Sequence, residues 1–171
     1  MRGPLVLVGL MGSGKTSVGA ALARRLGWPQ VDLDRALERR WGRSVAALFA
    51  EAGEAEFRRR ESALLATLLK GHRVISTGGG VVLRAENRRR LRRCLTVYLQ
   101  ASPAALAPRL TGPQARQRPL LRGKKPLAVL RRLQRQRGHW YGAVASLTVR
   151  AGQGTPAQVA RRILERCAPL G

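Results

Sequence analysis

Short apolar runs alternate along this chain with longer segments whose apolar residues recur every three or four positions. The apolar runs predict five strands, at residues 5–9, 30–33, 73–76, 95–99 and 147–149. Helical spacing predicts helices over residues 15–26, over a long segment that Ser44 can cap, and over residues 157–167. Strands separated by helices are typical of a parallel sheet covered on both faces, so a layered α/β fold is predicted.

Two further helix starts and one interruption complete the pattern. Ser102 and Thr155 each stand directly before a proline, which predicts a capped helix with proline at its first position. Over residues 111–125 the periodicity stops, and the segment carries five basic residues. A stretch of this length without structure in a compact domain is usually functional, so we expect a flexible lid there, with plain disorder as the alternative.

Length and composition predict one folded domain over residues 1–171. The chain has 44% apolar and 25% charged residues, and no apolar run approaches the ~20 residues that cross a bilayer. Two cysteines, Cys94 and Cys167, are too few for a disulfide framework or a zinc site of four cysteines. Residues 1–20 do not have the pattern of a secretory signal, so a cytoplasmic protein without membrane association is expected.

The charge balance is unusual and raises the question of a nucleic-acid partner. The chain has 33 Lys and Arg against 9 Asp and Glu, a formal net charge of +24, and the excess lies mainly in residues 84–137. Aromatic residues make up only 4%, so basic and aromatic residues do not interleave as in a base-stacking platform. We therefore expect no nucleic-acid partner; composition bias and attraction for small anions are the alternative sources of the charge.

A phosphate-binding motif follows the first predicted strand and opens the first predicted helix. Residues 9–16, Gly-Leu-Met-Gly-Ser-Gly-Lys-Thr, match G-x-x-x-x-G-K-[ST]. Glycines let backbone N–H groups turn around phosphate oxygens, Lys15 supplies a charge for the β- and γ-phosphates, and Thr16 offers a hydroxyl to Mg²⁺. The residues predicted to bind ATP here are Gly12, Ser13, Gly14, Lys15, Thr16 and Ser17. The motif does not identify the phosphoryl acceptor.

Several polar clusters fall where an acceptor site is expected. Asp32 and Asp34 end the second predicted strand, where a spacing of two would direct both carboxylates the same way. Arg58 and Glu61 share a helix face, and glycines 78–80 follow the third strand. Taken singly, each feature has a structural alternative: a capped surface turn for the aspartates, a surface ion pair for Arg58 and Glu61, and a flexible turn for the glycines.

Together the motifs resemble the shikimate kinases, small P-loop kinases of aromatic amino-acid biosynthesis. The resemblance covers about residues 4–165. It is carried by residues 9–16, Asp32 and Asp34, Gly53-Glu54-x-x-Phe57-Arg58-x-x-Glu61, residues 78–80, Arg118-Pro-Leu-Leu121 and Arg137-x-x-x-Tyr141. It implies a three-layer α/β/α P-loop kinase fold with a five-stranded parallel sheet. It also implies a substrate-binding region at about residues 32–61 and a lid at about 111–125.

The resemblance also implies a reaction and a role for each matching residue. The γ-phosphoryl group of ATP would pass to the 3-hydroxyl of shikimate, with Mg²⁺ as cofactor and Lys15, Asp34 and Arg118 as catalytic residues. Forked arginines suit a carboxylate, and a carboxylate can orient or deprotonate a hydroxyl. Shikimate would thus be bound by Asp34, Arg58, Gly79, Gly80 and Arg137. Mg²⁺ would be bound by Thr16 and Asp32. Arg109 and Arg118 would also bind ATP, with Arg109 at the adenine.

Two other interpretations stay open at the level of sequence. A gluconate- or nucleotide-kinase-like enzyme would explain the phosphate-binding motif but would leave the Arg58–Glu61 cluster and the glycines at 78–80 without a partner. A noncatalytic relative that binds anions or nucleic acid would explain the net charge, yet each residue the chemistry requires is present.

The protein is expected to act as a monomer.

Overall fold

The computed structural model describes residues 3–111, 119–121 and 123–167, and these form a five-stranded parallel sheet between layers of helices. The strands are β1 (Leu5–Val8), β2 (Gln30–Asp32), β3 (Val74–Ser76), β4 (Leu95–Gln100) and β5 (Leu147–Arg150). Their order in the sheet is β2-β3-β1-β4-β5, and every neighbouring pair is parallel. The predicted α/β fold and its five strands are confirmed.

Seven α-helices lie in the described residues, six between strands and one after β5. They are α1 (Lys15–Leu26), α2 (Leu33–Trp41), α3 (Val45–Leu68), α4 (Ala85–Leu91), α5 (Pro103–Leu106), α6 (Pro126–Val144) and α7 (Pro156–Cys167), with single 3₁₀ turns at Val81–Leu83, Ala107–Leu110 and Pro119–Leu121. The predicted caps are confirmed, because the hydroxyls of Ser44, Ser102 and Thr155 accept hydrogen bonds from backbone N–H groups three residues later. Most of the predicted lid, including Arg118, lies outside the described residues.

The prediction was wrong about the end of the second strand. β2 ends at Asp32, and Leu33 begins α2, a helix that the apolar pattern did not predict. Asp32 caps this helix by accepting a hydrogen bond from the backbone N–H of Arg35 at 3.3 Å. Asp34 lies in the first helical turn, so a helix start, and not strand alternation, sets the directions of the two carboxylates. Leu33 and Leu37, four residues apart and fully buried, anchor the helix.

The long helix α3 contains one break, at Gly53. Its backbone angles there are φ 75° and ψ 168°, in a region that favours glycine, so two helical segments meet at a kink. The second segment carries the predicted Arg58–Glu61 cluster. The kink therefore sets the direction from which this cluster approaches the sheet.

Each face of the sheet is covered by its own layer of apolar side chains. Alternation along β1 directs Leu5 and Leu7 into the core beneath α1 and α7, and Val6 and Val8 into the core beneath the other helices. All four side chains are fully buried. Of the helices in the described ranges, none is long and apolar enough to cross a membrane. The packing on both faces fixes the carboxyl ends of the strands, where ligands bind in sheets of this kind.

Candidate active site

The loop after β1 adopts a conformation that requires glycine. Gly12 and Gly14 have φ values of 79° and 86°, and Gly14 directly precedes α1. A Cβ at Gly9 would lie 2.7 Å from the carbonyl oxygen of Leu99 on β4. The loop thus packs tightly on the sheet and ends at the N-terminus of α1, where a phosphate group is favoured.

Lys15 is held at the base of this loop. Its Nζ donates hydrogen bonds to the carbonyl oxygens of Gly9 at 2.9 Å and Leu10 at 2.8 Å. The side chain is buried, and its charge lowers the pKa of Asp34, which places the lysine close to that carboxylate. One cation thereby connects the phosphate-binding loop with the predicted acceptor site.

Thr16 and Asp32 form a pair of oxygen ligands at the start of α1. The Thr16 hydroxyl donates a hydrogen bond of 2.8 Å to Oδ2 of Asp32, and both groups are exposed to the cleft. In the described ranges no three His, Cys, Asp or Glu residues cluster as ligands for a metal. Hydroxyl and carboxylate oxygens suit Mg²⁺, which binds to few protein ligands and takes the rest from phosphates and water. The pair fits the predicted metal site.

Asp34 lies at the centre of the cleft. A Cβ at Gly78 would come within 2.7 Å of its Oδ1, so the glycine makes room for the carboxylate. Burial raises the pKa of Asp34, and the neighbouring charge of Asp32 raises it further, while Lys15 and Arg58 oppose the rise. The carboxyl group is therefore more basic than an ordinary aspartate.

The Arg58 guanidinium is fixed on several sides. Its Nη1 donates a hydrogen bond of 2.8 Å to Oε2 of Glu61, as the predicted spacing requires. Its Cζ lies 5.3 Å and 5.1 Å from the ring centroids of Phe49 and Phe57, so the aromatic rings add cation–π contacts. A Cβ at Gly80 would overlap the same guanidinium. These contacts orient Arg58 before any ligand binds.

Glu61 belongs to the site, although no role was assigned to it from the sequence. It is 1% exposed; burial raises its pKa, and Arg58 opposes the rise. Its Oε1 is buried without a hydrogen-bond partner among the described residues. The spacing of three residues from Arg58 was the available signal.

Arg137 and Tyr141 on α6 form the opposite side of the acceptor site. Arg137 is buried, which lowers its pKa, and the charge of Arg58 lowers that pKa further. The Tyr141 hydroxyl donates a hydrogen bond to the carbonyl oxygen of Gly79. Two close guanidinium groups repel each other, so an anion that binds both would relieve the repulsion.

A single cleft of about 1820 Å³ joins the predicted ATP and acceptor sites. Its volume exceeds the roughly 300–1,000 Å³ that holds one small ligand, so it can accommodate two. Every predicted site residue in the described part of the chain lines it: Gly12, Ser13, Gly14, Lys15, Thr16, Ser17, Asp32, Asp34, Arg58, Gly79, Gly80, Arg109 and Arg137.

Arg109 lies beside the phosphate-binding loop, where its Nη1 donates a hydrogen bond of 3.5 Å to the carbonyl oxygen of Gly12. The cleft also includes a segment that the sequence analysis missed. Gly152, Gly154 and Pro156, between β5 and α7, line the cleft as well. The pair of glycines before the Thr155 cap was the only signal in the sequence.

Comparison with known proteins gives the family. The family model described as shikimate kinase matches residues 11–168. The chain belongs to the shikimate kinase family. The curated shikimate kinase of Symbiobacterium thermophilum is 46% identical over 168 residues, which cover 95% of this chain and 97% of that protein. That of Enterococcus faecalis is 39% identical over 163 residues, covering 95% and 96%.

Solved structures of the family agree with the fold. The shikimate kinase from Acinetobacter baumannii, solved in complex with shikimate, has a TM-score of 0.93 and 35% identity, covering 98% of this chain and 94% of that one. A gluconokinase from Sinorhizobium meliloti has a TM-score of 0.63 and 23% identity, which shows a shared fold alone. The resemblance to shikimate kinases, and the P-loop kinase fold it implies, are confirmed.

Proposed function

We propose that this protein transfers the γ-phosphoryl group of ATP to the 3-hydroxyl of shikimate, giving shikimate 3-phosphate and ADP. The observation that carries the proposal is the position of Asp34. Its buried carboxylate interacts with Lys15 of the phosphate-binding loop on one hand and with Arg58 of the acceptor site on the other. Membership in the shikimate kinase family supports the same reaction.

The acceptor is held by its carboxylate and its ring. Arg58 and Arg137 bind the carboxylate of shikimate, because their guanidinium groups lie close together and both line the cleft. The backbone amides of Gly79 and Gly80 orient the ring. Both glycines line the cleft beside these arginines.

Asp34 orients and deprotonates the acceptor hydroxyl. As the bond from the 3-hydroxyl oxygen to phosphorus forms and the bond from phosphorus to the ADP oxygen breaks, the hydroxyl proton passes to the Asp34 carboxylate and then to solvent. The raised pKa of this carboxyl brings its basicity closer to the operating pH, which suits a proton acceptor.

The donor side neutralises the charge of ATP. Lys15 and the amides of residues 12–17 hold the phosphates, and Arg118 approaches the transferring group from the proposed lid. Thr16 and Asp32 hold Mg²⁺, which when bound offsets the negative charge of the β- and γ-phosphates. Arg109, which lines the cleft beside Gly12, contacts the adenine.

The organisation of the chain follows from this assignment. Residues 1–171 form one kinase domain, with an acceptor-binding region at about 32–61 and a lid at about 111–125 that closes over both substrates and excludes water. We propose that the protein acts as a monomer in the cytoplasm and that nucleic acid is not its partner.

The test is ADP release from Mg·ATP with shikimate as acceptor, beside gluconate, AMP and a reaction without acceptor. Turnover is expected with shikimate alone, and Lys15→Ala should abolish it while the protein stays folded by circular dichroism. Faster turnover with gluconate or AMP would reject shikimate as the acceptor. Folded protein that binds ADP but is inactive with every acceptor would reject the kinase assignment.

A further inference from the structure

The hydroxyl of Tyr141 joins two parts of the acceptor site that come from distant parts of the chain. Tyr141 is fully buried on α6, and its Oη donates a hydrogen bond to the carbonyl oxygen of Gly79. Arg137 lies four residues earlier on the same helix face and is also buried, and the charge of its guanidinium acts on this hydroxyl. Since the one hydroxyl proton of tyrosine is donated to Gly79, the hydroxyl oxygen presents its lone pairs to the Arg137 guanidinium, which can only donate.

The protonation state of Tyr141 is suited to this connection. Burial raises its pKa to about 12, although the charge of Arg137 opposes the rise. The hydroxyl therefore keeps its proton at any pH at which the enzyme works. Tyr141 is therefore a permanent hydrogen-bond donor to the Gly79 carbonyl oxygen.

Gly79 in turn touches the phosphate-binding loop. A Cβ at this position would lie 3.5 Å from Oη of Tyr141, 3.6 Å from the carbonyl oxygen of Gly9 and 3.8 Å from the backbone nitrogen of Met11. Gly79 is thus packed between Tyr141 and the loop after β1. A group that holds the Gly79 carbonyl also sets where the amide of Gly80 points, because the two share a peptide plane.

We propose that Tyr141 is a positioning residue that couples Arg137 to the turn at Gly79 and Gly80. Its hydroxyl keeps the carboxylate-binding arginine and the ring-orienting amides in one mutual arrangement, against the phosphate-binding loop. That shikimate is the acceptor bound by these groups rests on the proposed function. The coupling itself is a property of the protein without ligands and can be measured separately.

The variant Tyr141→Phe tests the coupling, because it keeps the ring and removes the hydroxyl that bonds to Gly79 and interacts with the charge of Arg137. Tyr98→Phe is the matched control: the Tyr98 ring packs 5.3 Å from that of Tyr141, and no hydrogen bond in the described part of the chain joins its hydroxyl to Gly79 or Arg137. Amide hydrogen exchange of the ligand-free protein gives the first measurement. The N–H groups of Val81 and Leu83, bonded to Gly78 and Gly80, report on the turn.

We expect exchange at Val81 and Leu83 to rise about tenfold in Tyr141→Phe and to stay unchanged in Tyr98→Phe. In the kinase assay, Tyr141→Phe should raise KM for shikimate about tenfold and change KM for ATP less than about twofold. Combining it with Arg137→Lys should cost less than the product of the two single effects, since both substitutions break the same connection.

Three results would overturn the coupling: unchanged exchange in Tyr141→Phe, equal exchange increases in both variants, or equal increases in both KM values. The last two would assign the effect to a general loss of packing. If the wild-type protein does not phosphorylate shikimate, the proposed function fails, and the exchange comparison still decides whether Tyr141 holds the turn.

Discussion

The Arg58 guanidinium lies directly against the α-carbon of Gly80, where a Cβ would overlap its Cζ, Nη1 and Nη2 atoms. Gly80 has φ −95° and ψ −2°, angles that other residues adopt, so the glycine provides space and not backbone freedom. On its other sides the guanidinium bonds to Glu61 and stacks near two phenylalanine rings. The absence of a side chain at Gly80 therefore determines where the carboxylate-binding arginine can lie.

Gly80→Ala should displace Arg58 and leave the fold intact. The overlapping atoms are the end of a flexible side chain, which can move without a shift of the backbone. We expect KM for shikimate to rise more than about tenfold, a loss comparable to one charge-assisted hydrogen bond, with little change in KM for ATP. The melting temperature should fall, because Glu61 stays buried while its ion pair with Arg58 is broken.

Gly142→Ala is the control for that substitution. A Cβ at Gly142 would meet nothing within 4 Å, and the residue lies within α6. Alanine is favoured over glycine in a helix by up to about 1 kcal/mol, so this variant should be as active as the wild type and slightly more stable. A Gly80→Ala protein with unchanged KM for shikimate would move the carboxylate site away from Arg58.

Asp34→Asn should lower activity and raise stability at the same time. Loss of the base is expected to reduce kcat by about 100-fold or more. Burial raises the pKa of Asp34 in the folded protein above that of an ordinary aspartate, so its ionised form costs stability at neutral pH, and the isosteric amide removes that cost. Steady-state kinetics and thermal unfolding at pH 8 measure the two effects.

The stability gain should depend on pH in a defined direction. A carboxyl group with a raised folded pKa stabilises the protein below its unfolded pKa, and this contribution is lost as the pH rises through the folded pKa. The unfolding free energies of wild type and Asp34→Asn should therefore approach each other as the pH falls from 8 toward 4. A difference that is constant or grows on acidification would show that Asp34 is not the titrating group.

The pH dependence of kcat/KM should show the same carboxyl group. Because Asp34 must be ionised to accept the proton, activity is lost as the pH falls through its pKa, and burial moves that acid limb above the ordinary aspartate value. Tyr141, with a pKa of about 12, adds no alkaline limb below pH 10. An acid limb that persists unchanged in the residual activity of Asp34→Asn would assign the ionisation to another group.

Much of the fold could be predicted because each strand is a short apolar run between clear helix signals. Leu5–Val8 is apolar throughout and buried on both faces, as in any central parallel strand. The missed helix α2 is only nine residues long, and Leu33 continues the apolar alternation of β2. A run of residues that fits the periods of both a strand and a helix does not locate the boundary between β2 and α2. In the folded chain, the hydrogen bond from the Arg35 N–H to Asp32 fixes where the helix begins.

The site was predictable where a motif carries its own chemistry, as for Lys15 and Thr16. It was not predictable where a role depends on contacts between distant segments. Gly78 matters because it leaves room for Asp34, which lies 44 positions earlier in the chain. A Cβ at Gly78 would lie only 2.7 Å from Oδ1 of that carboxylate. This proximity follows from the sheet order, in which β2 lies beside β3. The local sequence around either residue does not predict it.

Salt should affect catalysis and stability in opposite directions. With a net charge of +24, the folded chain attracts anionic substrates and repels itself, and both effects are screened as the ionic strength rises. Raising KCl from about 20 to about 300 mM should lower kcat/KM for ATP by several-fold and raise the melting temperature. A kcat/KM for ATP that does not change over this range would show that electrostatic attraction does not assist ATP binding, and an unchanged melting temperature would show that self-repulsion does not limit stability.

Asp32→Asn should weaken magnesium binding without uncapping α2. Asparagine is as good an N-cap as aspartate, so the hydrogen bond from the Arg35 N–H is kept, while the metal loses the charge of its carboxylate ligand. We expect the Mg²⁺ concentration for half-maximal rate to rise about tenfold at fixed ATP, with a melting temperature near that of wild type. Asp32→Ala removes the cap as well and should cost about 1 kcal/mol of stability in addition. If the two variants instead share a normal Mg²⁺ requirement and differ only in stability, Asp32 acts as a cap alone, and the metal must be held by Thr16 and the phosphates.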